Sequence, residues 1–109
     1  MDKQTLIERL MALPVDIEAA EKHVLSMSQA VDAAREQVAT IEKDAILNGA
    51  ITGKNETERK AQMAALTAEA RQAVTEAEVK LSIARVAYNR LLNDFRALQA
   101  VAQMLREVA

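Results

Sequence analysis

The sequence predicts an all-α protein: a long antiparallel helical hairpin of coiled-coil type with a short N-terminal helix, assembling into an oligomeric helical bundle. Three observations predict it. Half of the 109 residues are apolar but only 2% are aromatic, so the apolar content is Ala, Leu, Val, Ile and Met, as in long helices rather than sheets. Apolar residues recur in steps of three and four along two long runs. Between the runs lies one gap, Asn48 to Glu56, and it holds both glycines of the chain.

The first element is a short helix over residues 3–13. Leu6, Leu10 and Leu13 share one face, with Ile7 and Met11 beside them. Pro14 then removes a backbone donor and disfavours helical geometry at Leu13, so a break is expected there, with Pro14 opening the next helix. A kinked but continuous helix is the alternative. The spacing keeps it open, because Leu6, Leu10, Leu13, Ile17, Ala20, Val24, Met27, Val31, Ala34, Val38, Ile41 and Ala45 step by four and three without a fault.

Arm one covers residues 14–48 and ends at Asn48-Gly49, where glycine supplies the left-handed residue that stops a helix. The turn is 49–55. Arm two covers 56–108 and starts at Asn55, an N-cap with Glu58 as its capping-box partner. Its seam is read as Met63, Leu66, Ala70, Ala73, Ala77, Leu81, Ala84, Tyr88, Leu91, Phe95, Leu98, Ala102 and Leu105. Two steps of four meet at Ala77, which predicts a stutter and local unwinding of the supercoil. Pairing Ala45 with Met63 across the turn sets the register, placing Val31 by Ala77, Ala20 by Tyr88 and Leu13 by Phe95.

Charge and composition narrow the function. A net charge of -2 offers no general attraction to nucleic acid or to an acidic membrane surface. There is no cysteine, the start carries Glu8 and Arg9 in place of an apolar leader, and no apolar run reaches membrane-spanning length. A soluble cytoplasmic protein is expected. From Lys80 onward arm two carries Lys80, Arg85, Arg90, Arg96 and Arg106, opposite Asp2, Glu8, Asp16, Glu18 and Glu21. Arg85 and Arg90 are therefore expected to lean toward Glu21 and Glu18 and to fix the antiparallel orientation. A nucleic-acid stripe would also want interleaved aromatics, which are absent.

Gly49-Ala-Ile-Thr-Gly53-Lys54-Asn55 invites comparison with a phosphate-binding loop. It falls short by one residue between the glycines, by Asn in place of the Ser or Thr that would hold magnesium, and by the lack of a preceding strand. What survives is a helix start beside Lys54, Arg59 and Lys60, a candidate contact for an anion or partner, opposed by Glu56 and Glu58. His23 has Ala20 where a helical di-metal site would have Glu, so no metal is expected. Ser26, Ser28 and Ser82 have no activating base nearby, and no carboxylate pair is isolated in an apolar setting. No cofactor and no enzymatic activity are expected. Val79, Ile83 and Val86 form an apolar patch off the main seam; they mark self-association, unless the short first helix folds back to make a three-helix bundle.

The run Ile51-Thr-Gly53-Lys54-Asn55-Glu-Thr-Glu-Arg59-Lys-Ala-Gln resembles the inter-helix turn of small phage and prophage helical hairpin proteins of unknown function, and Arg96-Ala97-Leu98 in arm two is similar too. The resemblance covers about half the chain and brings no catalytic residues. It implies a phage protein acting in the host cytoplasm. The leading expectation is a non-enzymatic protein that self-associates and binds a host or phage protein, in counter-defence or host takeover. The alternatives are an oligomeric sponge for a small anionic nucleotide signal, with Lys54, Arg59, Arg85 and Arg90 as its contacts, and an accessory to phage DNA metabolism.

Overall fold

The computed structural model describes residues 2–108. Among them are two α-helices, α1 (Lys3–Leu47) and α2 (Glu56–Val108), and no strand. The fold is a long helical hairpin. By internal contacts the chain divides into a turn unit, Met27–Leu81, and a terminal unit made of Met1–Ser26 and Ser82–Ala109.

The chain opens α1 with a cap. The Asp2 carboxylate accepts from the Thr5 amide at 2.7 Å, and the Asp2 carbonyl accepts from the Leu6 amide at 3.1 Å. These bonds occupy donors that a helix start otherwise leaves open. The Thr5 amide, and after it the Thr5 hydroxyl, hold the Asp2 carboxyl below the ordinary aspartate range.

The expected break at Pro14 does not occur, so there is no separate helix over 3–13 to fold back as a third element. Pro14 lies inside α1. A proline at an interior position costs about 3 kcal/mol relative to alanine. The apolar seam on both sides of it outweighs that cost: Leu6 and Leu13 are buried, Leu13 completely, and Leu10, Ile17 and Ala20 are half-buried. The ring itself is exposed, so its bulk meets solvent and not the core.

The other end of α1 closes as a Schellman motif. Gly49 has φ 68°, its amide donates to the Ile46 carbonyl at 3.3 Å, and the Ala50 amide donates to the Ala45 carbonyl at 2.9 Å. Asn55 caps α2, its side-chain oxygen accepting from the Glu58 amide at 2.9 Å and its carbonyl from the Arg59 amide at 3.0 Å.

Two ion pairs fix the register of the turn unit: Arg35 to Glu78 at 3.1 Å and Arg71 to Glu42 at 2.7 Å. In both, the residue numbers add to 113, the total for pairs on one flank when the seam layers between them add to 108. The layers are then Ala45–Met63, Ile41–Thr67, Val38–Ala70, Ala34–Val74, Val31–Ala77 and Met27–Leu81. Every residue in these pairs is buried or half-buried. In the terminal unit the same rule gives Val24–Ala84, Ala20–Tyr88, Ile17–Leu91, Leu13–Phe95, Leu10–Leu98 and Leu6–Ala102, again all buried or half-buried. Large faces small in several layers, which keeps the helices evenly spaced.

This corrects the seam of α2. Thr67 and Val74 occupy the positions expected of Leu66 and Ala73, both of which are exposed. The steps of four and three then alternate without interruption, and the stutter disappears. Thr67 is fully buried because its hydroxyl is satisfied there: it donates to the Met63 carbonyl at 2.8 Å and accepts from the Arg71 Nε at 3.0 Å. With both bonds made, threonine fills a valine-shaped space.

Candidate interaction surfaces

Of Lys54, Arg59 and Lys60 at the turn, the last two have their side chains engaged within the chain, while Lys54 is held only through its backbone amide. Lys60 pairs with Glu56 at 3.2 Å, and the Arg59 Nη1 donates to the Gly53 carbonyl at 3.3 Å. The Glu58 carboxylate accepts from the Lys54 amide at 2.7 Å. This varies the expected capping box, since Glu58 reaches the residue before the cap rather than the cap itself.

Gln62 completes the turn, and nothing in the local motif announced it. Its Oε1 accepts from the Thr52 and Gly53 amides at 2.9 and 2.8 Å, and its Nε2 donates to the Thr52 hydroxyl at 2.9 Å. Successive amides of 52, 53 and 54 are the donors that would cradle an anion. Gln62 and Glu58 occupy all three. Gly53 is needed for a further reason: a Cβ there would lie 2.7 Å from the Arg59 amide nitrogen and 2.8 Å from the Glu58 Cβ. The only sequence clue to Gln62 is its position one turn after Glu58 on the face that looks back at the loop.

Arg85 and Arg90 belong to the terminal unit. Among the described residues neither lies within ion-pair distance of a carboxylate. Glu18 pairs instead with Lys22, at 3.2 Å. The expected contacts with Glu21 and Glu18 fail for a geometric reason. Flank positions pair at a total of 113, which sets Glu21 opposite Leu92, while Glu18 and Arg90 both point away from the seam. Arg85 borders a shallow groove of about 290 Å³ with Val24, Tyr88 and Asn89. A second groove, of about 410 Å³, is lined by Leu10, Phe95, Gln99, Ala102, Gln103 and Arg106.

Val79, Ile83 and Val86 are 53%, 64% and 60% exposed, on the side of α2 away from the seam. On α1, Met11, Val15 and Leu25 are likewise exposed and outward. Among the described residues no group of three or more His, Asp or Glu side chains is placed to hold a metal ion, and no helix is long and apolar enough to cross a membrane.

The architecture defines a class, the long helical hairpin with a coiled-coil seam. Comparison of the chain with protein families, with curated proteins and with solved structures finds no match.

Proposed function

We propose that the chain is a non-enzymatic helical module that self-associates and works by binding another protein. The exposed area carries this reading. The chain exposes 8104 Å², against about 6,000 Å² for a compact monomer of 11.9 kDa. The difference, about 2,000 Å² per chain, exceeds the roughly 800 Å² that each partner contributes to a standard interface. Among the described residues only six apolar ones are buried, Leu6, Leu13, Val31, Ala45, Leu81 and Ala84, while others of comparable size such as Ile83 and Val86 face solvent. Flat outward faces with shallow grooves suit a helical partner better than a small substrate.

The similarity of the Gly53-Lys54-Asn55 turn and Arg59 to phage and prophage hairpins supports a role in the host cytoplasm, in counter-defence or host takeover. Light scattering coupled to size exclusion tests the first half of the proposal. A mass that is a multiple of 11.9 kDa is expected, and a monomer throughout the micromolar range overturns self-association. The second half is tested by purification from host cells. One host or phage protein retained in fixed ratio is expected; Ile46→Asp, at a position of the turn unit that is 66% exposed, should release it, and retention of it unchanged by that variant overturns the assignment of the partner to that face.

One observation favours a second reading, a sponge for a nucleotide signal. Arg85 is unpaired among the described residues and stands beside an apolar wall, Val24 and Tyr88, with the amide of Asn89 at hand. Titration calorimetry with cyclic and linear nucleotides decides it: binding lost in Arg85→Ala supports sequestration, and no heat from any of them removes it.

A further inference from the structure

Within the terminal unit the charge is segregated by helix. Its α1 portion carries Asp2, Glu8, Asp16, Glu18 and Glu21 against Lys3, Arg9 and Lys22, and its α2 portion carries Arg85, Arg90, Arg96 and Arg106 against Asp94 and Glu107. Among the described residues, the ion pairs that join the two helices, Arg35–Glu78 and Arg71–Glu42, all lie in the turn unit. The opposite charges of the terminal unit thus do not neutralise each other across their own seam. They are presented on outward faces, next to exposed apolar residues.

We infer that the outward face of α1 in this unit receives the outward face of α2 from a second copy of the chain. The inference rests on the self-association proposed above and names its surfaces. Two copies standing level, with the α1 of one beside the antiparallel α2 of the other, pair residues at the same total of 108 that governs the internal seam. That placement brings Glu18 to Arg90, Leu25 to Ile83 and Met11 to Ala97: an ion pair, an apolar pair, and a large residue over a small one. Leu25 and Ile83 are 59% and 64% exposed, and Met11 is 74% exposed, so each has surface to bury. Lys22, which holds Glu18 in an exposed pair at 3.2 Å, gives up little when Arg90 replaces it, because a solvent-exposed pair one helical turn apart is weak. In the turn unit the same arrangement would set Asp32 against Glu76, so complementarity is confined to the terminal unit.

The contact is heterologous, since a different face is used on each copy. Each copy therefore keeps one face of either kind, and addition continues until a ring closes or a filament forms. The charges also make the contact sensitive to ionic strength.

Sedimentation velocity on the full chain tests this, with Glu18→Arg, Arg90→Glu and the double variant, each checked for unchanged helicity by circular dichroism. Assembly of the unaltered chain should weaken as salt rises. Each single reversal should weaken it by about tenfold or more through like-charge contact. The double variant, and an equimolar mixture of the two single variants, should recover it, because every contact again joins a cation to an anion. Single reversals that assemble like the unaltered chain overturn the pairing of these faces while leaving self-association standing. A double variant no better than either single one also overturns it. If the unaltered chain is monomeric at every concentration and salt, self-association itself falls.

Discussion

Replacing Pro14 by alanine should stabilise the protein, and the size of the gain follows from the position of Pro14 in α1. The substitution restores an amide that can donate to the Leu10 carbonyl and removes the ring that crowds it. The helical preference of alanine over proline at an interior position is about 3 kcal/mol. Against this, alanine leaves the unfolded chain freer, a loss of about 0.4–1 kcal/mol. Pro14 is exposed while the preceding Leu13 is completely buried, so the exchange touches no packed surface and opens no cavity. A net gain of about 2 kcal/mol remains, which for a domain of about 100 residues raises Tm by about 8–16 °C. Urea and thermal unfolding followed by circular dichroism provide the measurement. Both chains must be compared at one protein concentration, because association makes the midpoint concentration-dependent. A Tm unchanged or lowered would refute the reasoning. It would mean that the segment before Pro14 is a separate element whose docking uses the proline.

Three further outcomes are expected. Gly53→Ala should destabilise by about 1–3 kcal/mol in chemical denaturation, more than Gly49→Ala at about 1 kcal/mol, because the first forces a Cβ to 2.7 Å from backbone and the second only strains a left-handed residue facing open space. Gln62→Ala strips two loop amides of their acceptor; a loss of about 1–2 kcal/mol and faster proteolysis between 50 and 55 are expected, and an unchanged cleavage rate would show that the loop holds itself. The Asp2 carboxyl is lowered in the folded chain, so the stability it lends α1 is complete above the ordinary aspartate range and fades as pH falls through the lowered value; the protection of the Thr5 and Leu6 amides, measured as exchange relative to the intrinsic rate at each pH, should fall on that descent, and Asp2→Asn should abolish that fall.

How much of this was legible in the sequence depended on whether the deciding interaction was local. The caps at Gly49 and Asn55 are local, and both helix ends fall within a residue of where those residues predict them. The α1 seam was legible because its repeat is unbroken. Pro14 misled because its cost is local, whereas the seam that outweighs it is spread over many turns. Leu66 and Ala73 misled because hydrophobicity was weighed residue by residue: a leucine outranks a threonine in isolation, but only Thr67 continues the spacing, and its hydroxyl finds two partners within its own helix. Arg85 with Glu21 and Arg90 with Glu18 have residue numbers that add to totals at or near that of the seam, whereas flank pairs obey a different total. Gln62 reaches back ten residues to Thr52, a distance no short motif records. Function was the least legible, since an interaction face is defined by what covers it.

The constant total across the seam makes the arms a ruler with interchangeable marks. Removing residues 34–40 together with 68–74 would take out one seven-residue period from each helix, with the two cuts facing each other. Every remaining layer would keep its partner and the turn from Asn48 to Gln62 would not register the change, but the cuts carry away Arg35 and Arg71 and leave Glu42 facing Glu78 on the flank, so one of those two would have to become arginine. A one-sided cut of the same size would shift each outer layer by two turns and leave large residues facing large. Arm length can therefore be varied in matched steps while the turn stays as it is, so the spacing of surfaces presented on the arms can be set independently of the signal that folds the chain back on itself.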